Sequence, residues 1–176
     1  MSTEEVRWYA LKVFYNRTLE MKRALEAEGV TVYVAMRPVE RIVRGRRQIQ
    51  ERPLISSLLF LRCTAGWLKG YKQAHDSGFL YYQDFATHEP APVSEVEMRS
   101  FIILTSADRG TQVEYLGENV PEFKRGEHVR VIEGVYKGAE GYIRKVRSDR
   151  KLVVEVKGIA VVAVSYIPPA FLEKII

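Results

Sequence analysis

Cysteine occurs once in these 176 residues, at Cys63, which excludes an intramolecular disulfide and any zinc site built on cysteine pairs. Histidine is almost as scarce. His75, His88 and His128 are scattered, and none has a partner at metal-ligand spacing. No apolar run approaches the roughly 18 residues of a membrane span. The opening MSTEEVRWYALKVFY lacks the basic and apolar regions of a secretory signal. "GRRQ" and "GVYKG" lack the Lys-Ser/Thr ending of a phosphate-binding loop. Cys63 follows an apolar run and reads as a buried, inert thiol, while Glu95 and Glu97 fit the acidic preference of a helix start. These absences predict a cytoplasmic protein with no catalytic, metal or cofactor site, and they make an enzyme the weakest reading.

What the chain does have is basic charge in two places. Arg37, Arg41, Arg44, Arg46, Arg47 and Arg52 face only Glu40 and Glu51, and the stretch from Glu122 to the end holds eleven Lys/Arg against seven Asp/Glu. The net charge of the whole chain is +5. Two basic segments on a slightly acidic remainder point to a polyanion, nucleic acid foremost, with solvated surface as the competing reading.

Hydrophobic residues make up 47% of the chain, which supports packed cores and excludes general disorder. Val6 to Phe14 reads as a strand, and Thr18 to about Glu28 as a helix that Thr18 caps and Gly29 stops. Val30 to Met36 is a second strand, and "ERIVRGRRQIQER" a hairpin around Gly45-Arg46. Leu54 to Arg62 is nearly continuous apolar sequence and predicts a central strand. The apolar excess at Leu54–Leu61 also predicts an exposed patch for a partner. A short helix follows over Ala65 to His75, then a strand over Phe79 to Phe85. Ser94 and Glu97 form a capping box for a third helix, with Val93 and Met98 as its staple. "ADRGTQVEYLGENVPEFKRG" reads as a linker. Beyond it come short strands (HVRVI, GYIRKV, KLVVEV, IAVVAV), with helical patterning only in the terminal "PAFLEKII". The fold class is α+β: helices on a mostly antiparallel sheet over residues 1–106, a linker over 107–121, and a small β-barrel over 122–176.

Inside the barrel region, "IEGVYKGAEG" places three glycines in ten positions. Glycine weakens a strand, so such a cluster predicts positive φ or close backbone approach, with Tyr136 and Lys137 turned toward a partner.

In its wider context, "KRGEHVRVIEGVYKGAEGYIRKV" resembles the KOW motif. "WYALKVFYNR", "ERPLISSLLFLR" and "PAPVSEVEMRSFI" resemble the NGN domain of NusG-type transcription elongation factors. The wording is most similar to the specialised RfaH-like and UpxY-like antiterminators of polysaccharide operons. Nearly the whole chain is covered, in the family's domain order. Ile55-Ser56-Ser57-Leu58 stands where housekeeping members carry Phe-Pro-Gly-Tyr, Val135 where the KOW aromatic is commonly preceded by proline, and Lys69-Gly70-Tyr71 does not spell the gate-loop motif of RfaH-type proteins.

The resemblance implies an SH3-like KOW barrel and a monomeric, non-enzymatic bacterial factor that regulates transcription elongation. Tyr9, Leu54, Ile55, Leu58 and Phe60 match the strands that dock on the clamp helices of RNA polymerase. Arg17, Lys22 and Arg23, or the Arg44, Arg46 and Arg47 tip, would hold upstream or non-template DNA through phosphates. Gly134, Tyr136, Lys137, Gly138 and Gly141 form the KOW motif of a domain that recruits a ribosomal small-subunit protein, or Rho in housekeeping members. The β-branched runs LVVEV and AVVAV favour the barrel over the helical form known in RfaH. A housekeeping NusG acting with Rho, and a ribosome-associated KOW protein binding RNA, remain as alternatives.

Overall fold

The computed structural model describes residues 4–119, 126–165 and 167–176. In chain order these form β1 (Arg7–Val13), α1 (Thr18–Ala27), β2 (Thr31–Tyr33), β3 (Met36–Val43), β4 (Arg46–Pro53), β5 (Leu58–Cys63), α2 (Ala65–Ala74), β6 (Phe79–Tyr81) and α3 (Glu95–Ser106). The C-terminal part follows with β7 (Val113–Gly117), β8 (Glu127–Val131), β9 (Glu140–Val146), β10 (Asp149–Val156), β11 (Ala160–Val164) and β12 (Leu172–Lys174). The chain divides into two compact units: Met1–Val34 with Ile55–Glu95, and Ala35–Leu54 with Val96–Ile176. The fold is α+β, as the element order predicts.

The first unit is a four-stranded antiparallel sheet in the order β2-β5-β1-β6. Its central strands follow from aromatic and aliphatic content: β1 and β5 pair with Tyr9 opposite Leu61 and Leu11 opposite Leu59, all four buried. Thr18 does not cap α1. Arg17 occupies the cap position without a side-chain bond, and the buried Thr18 hydroxyl donates instead to the carbonyl of Ser56. Thr64 does cap α2, its Oγ1 accepting from the Trp67 N–H at 3.1 Å. The strand expected to run to Phe85 stops at Tyr81. The Asp84 carboxylate then accepts from the Thr87 and Ala86 N–H groups, and these hydrogen bonds hold its pKa below the usual carboxylate range.

The second unit contains the β3–β4 hairpin, the body of α3 and a six-stranded antiparallel sheet in the order β12-β8-β9-β10-β11-β7. α3 begins directly after Ser94, where the sequence places a helix start. Its Ser100 hydroxyl, fully buried, accepts from the Glu140 N–H at 2.9 Å, and Glu97 accepts from the Lys157 N–H at 3.1 Å. One face of the sheet buries Val146, Val153, Val161 and Ala163 together, with Leu116 against them.

Two readings of this half need correction. Residues 107–121 are not simply a linker. They contain a 3-10 turn over Ala107–Gly110 and the strand β7, which pairs with β11. The expected boundary at 121–122 lies outside the described residues. "PAFLEKII" is not helical in the α sense: Pro169–Phe171 make one 3-10 turn and β12 pairs with β8, Leu172 opposite Val131.

Candidate nucleic-acid interface

The β3–β4 hairpin carries one of the two basic segments, six arginines against two glutamates over residues 37–52. Eight residue pairs hold its register, from Met36 opposite Pro53 to Val43 opposite Arg46. Arg44 and Gly45 close it, with φ of 51° and 76°, the two positive values that a type I′ turn needs. Gly45 adopts this conformation freely, whereas Arg44 does so against the steric preference of an L-residue. At the base, the Leu54 N–H donates to the Ala35 carbonyl at 2.8 Å, and Arg109 pairs with Glu51 at 2.7 Å.

The three arginines expected to act together at the tip are separated. Arg44 sits in the turn itself, Arg46 lies opposite Val43, and Arg47 lies opposite Ile42 with its guanidinium 3.3 Å from Glu40. All three are exposed. Sequence reading also passed over Arg37, Arg41 and Arg52 as site residues. The signal that finds them is their alternation counted outward from the turn, which the register makes explicit.

The alternative cations lie on α1. Arg17 and Arg23 are exposed and Lys22 is half-buried. Arg17 comes within 3.9 Å of Glu20, and Lys22 within 3.9 Å of Glu26, so both have carboxylates nearby on their own helix. Such exposed pairs contribute little to stability.

The residues matched to the polymerase-docking strands are placed differently from expectation. Leu58 and Phe60 are 5% and 1% exposed, and Tyr9 and Ile55 are buried as well, while Leu54 is half-buried. The run Leu58–Leu61 is buried at every position, so its apolar excess reflects a strand covered on both faces. It does not stand open as a surface patch. Burial likewise raises the Tyr9 phenol and pushes the Cys63 thiol up to about 12, which makes that thiol inert. A large apolar side chain that is open to solvent is Phe85, 98% exposed on the Asp84 turn.

In the glycine-rich decapeptide, Gly134 and Gly138 have φ of 89° and 95°, as the cluster predicts, and the Lys137 N–H closes a turn onto the Gly134 carbonyl. Gly141 serves a different purpose. It lies in β9, where a Cβ would stand 2.4 Å from the Val153 carbonyl oxygen. Lys137 is exposed, but Tyr136 is half-buried. Burial and, second, the negative charge of Asp108 raise its phenol above the ordinary value.

Among the described residues, no group of His, Cys, Asp and Glu is placed to hold a metal ion, and no helix is long and apolar enough to cross a membrane. Comparison with known proteins adds the family. The profile described as "Transcription termination factor nusG" matches residues 6–102, more than half of the chain. The chain belongs to the NusG family. It is therefore a NusG-type transcription factor, and the matched span runs from β1 into α3. No curated protein matches this NusG-type sequence. Among solved structures it is similar to that titled "Domain interaction in Thermotoga maritima NusG", at 18% identity and a TM-score of 0.42, over 98% of each chain.

Proposed function

We propose that this chain is an elongation and antitermination factor that binds RNA polymerase through its NGN-like part, residues 1–106, and recruits a partner through a KOW-like domain at 122–176. The observation that carries the reading is the NusG family match over residues 6–102. Docking on the clamp would favour the closed, elongating state over the paused one, a shift of populations without chemistry. Leu54 is the residue matched to the docking strands that keeps solvent exposure, so it is the first candidate for contact. Basic side chains of the hairpin or of α1 would hold upstream or non-template DNA. Specialisation for long operons such as those of polysaccharide synthesis is the finer reading, supported by the resemblance to specialised members and by Ile55-Ser56-Ser57-Leu58 standing where housekeeping members carry Phe-Pro-Gly-Tyr.

The test is binding of the purified full chain to core RNA polymerase, followed by transcription on a template with a known pause. Binding with altered pause duration is the expected result. Leu54→Glu, checked for folding by circular dichroism, should weaken binding. A folded parent chain that does not bind core polymerase overturns the reading.

A further inference from the structure

We propose that the β3–β4 ribbon binds the backbone of B-form duplex DNA with one of its two faces, the one that carries Arg37, Arg41, Arg46 and Arg52. This rests on the nucleic-acid reading above and names the surface and the ligand class. In an antiparallel pair, residues directly opposite each other point to the same face, and successive pairs alternate. The pairs Arg37–Arg52, Val39–Gln50, Arg41–Gln48 and Val43–Arg46 therefore share one face. It holds four arginines and two glutamines and no carboxylate.

The other face takes everything that would neutralise the ribbon. Glu40 and Glu51 both lie there, with Arg47 beside Glu40 at 3.3 Å and Arg109 on Glu51 at 2.7 Å. Ile42 and Ile49 complete it, 75% and 74% exposed. By contrast, Arg37, Arg41 and Arg46 are exposed, and no carboxylate among the described residues pairs with them. Arg52 donates to Gln50 Oε1 at 3.1 Å, which orients its guanidinium along the same face. Arg37 directly opposite Arg52 is a like-charge pair, which destabilises a sheet. Folding gains nothing from this arrangement, and a polyanion would reverse its sign.

Shape and composition decide which polyanion. Single-stranded nucleic acid is held by bases stacking on aromatic rings, and residues 36–53 contain no aromatic side chain. A two-stranded antiparallel ribbon fits the major groove of B-DNA, about 12 Å wide, whereas the major groove of A-form RNA is too narrow and deep. Arg37 and Arg41, four residues apart on one strand, are spaced about 13 Å along the ribbon, so the cationic face runs along the duplex beside several phosphates. Gln48, directly opposite Arg41 across the ladder, brings an amide that can donate and accept at a base edge, but the charge supplies position more than sequence discrimination.

The test uses the full chain and three probes: a short mixed-sequence DNA duplex, one of its single strands, and the RNA duplex of the same sequence. Binding is measured by fluorescence anisotropy across a salt series. The parent should prefer the DNA duplex. R37Q/R41Q/R46Q, checked by circular dichroism, should flatten the slope of log affinity against log salt by roughly 0.9 per arginine. The corresponding lysine triple variant should keep the slope, and Arg47→Gln should leave it unchanged. A parent that binds none of the probes overturns the nucleic-acid reading and this inference with it. A parent that binds DNA, but whose slope falls only in R17Q/K22Q/R23Q, overturns the inference and leaves the reading standing. Preference for the single strand or the RNA duplex, or an equal loss in Arg47→Gln, also overturns it.

Discussion

The β3–β4 ribbon and the β10–β11 pair are both antiparallel ladders, yet they share little else. Every residue of β11 is buried, and β10 buries Leu152, Val153 and Val154 in succession, which places apolar side chains on both faces. From Glu40 to Ile49 the ribbon and its turn are exposed at every position, with charge where the other pair has valine. Backbone pairing is thus common to a structural core and to a solvent-exposed hairpin. What differs is the side-chain environment, and with it the cost of change. In β10–β11, substitution should be felt as stability. In the ribbon it should be felt as binding.

The largest effect should come from Leu152→Ala, which removes a fully buried side chain and should cost about 2–5 kcal/mol in urea denaturation. A loss no larger than that of an ordinary surface substitution would break the comparison, because it would mean that the buried pair tolerates change as the ribbon does. Next, and opposite in sign, is Arg44→Asn. Asparagine accepts positive φ more readily than arginine, so the variant should gain up to about 1 kcal/mol in the same assay. If stability falls instead, Arg44 makes a contact that helps the fold, and the ribbon's tip is not free for a partner.

The smallest concerns Glu97. Burial first, with Glu155 adding, raises its carboxyl above the usual value, while the Lys157 N–H and side chain oppose that shift. A raised folded pKa means that the associated stability is present in acid, below the unfolded pKa, and is lost as pH rises through the folded one. Glu97→Gln keeps an acceptor for Lys157 and removes the charge. Its melting temperature should exceed the parent's slightly at pH 7 and match it at pH 3. An equal difference at both values would assign the effect to the hydrogen bond.

Much of the chain was readable before folding was considered. The β-branched runs KLVVEV and IAVVAV gave their strands, because apolar, β-branched side chains at that density need a covered sheet. The start of α3 was legible from Ser94 and Glu97. β7 was missed because VEYLG mixes charge, aromatic and glycine without a period, and only its pairing with β11 makes it a strand. The burial of Leu58 and Phe60 was missed for a related reason. A continuous apolar run shows that both faces of a strand avoid water, but not what covers each face.

By itself, then, the sequence determined where most strands and helices lie, a hairpin turn involving Gly45 (read as Gly45-Arg46, formed by Arg44-Gly45), the inert setting of Cys63 and the excess of arginine in one short stretch. These follow from local sterics, hydrophobic runs and composition, which act within a few residues. Tertiary structure decided which arginines stand together. That depends on the register between two strands, and a shift by one residue would have moved each side chain to the opposite face. It also decided that Gly141 admits a neighbouring strand while Gly134 and Gly138 form a turn, because close approach is a property of the partner backbone and is not written at the glycine itself.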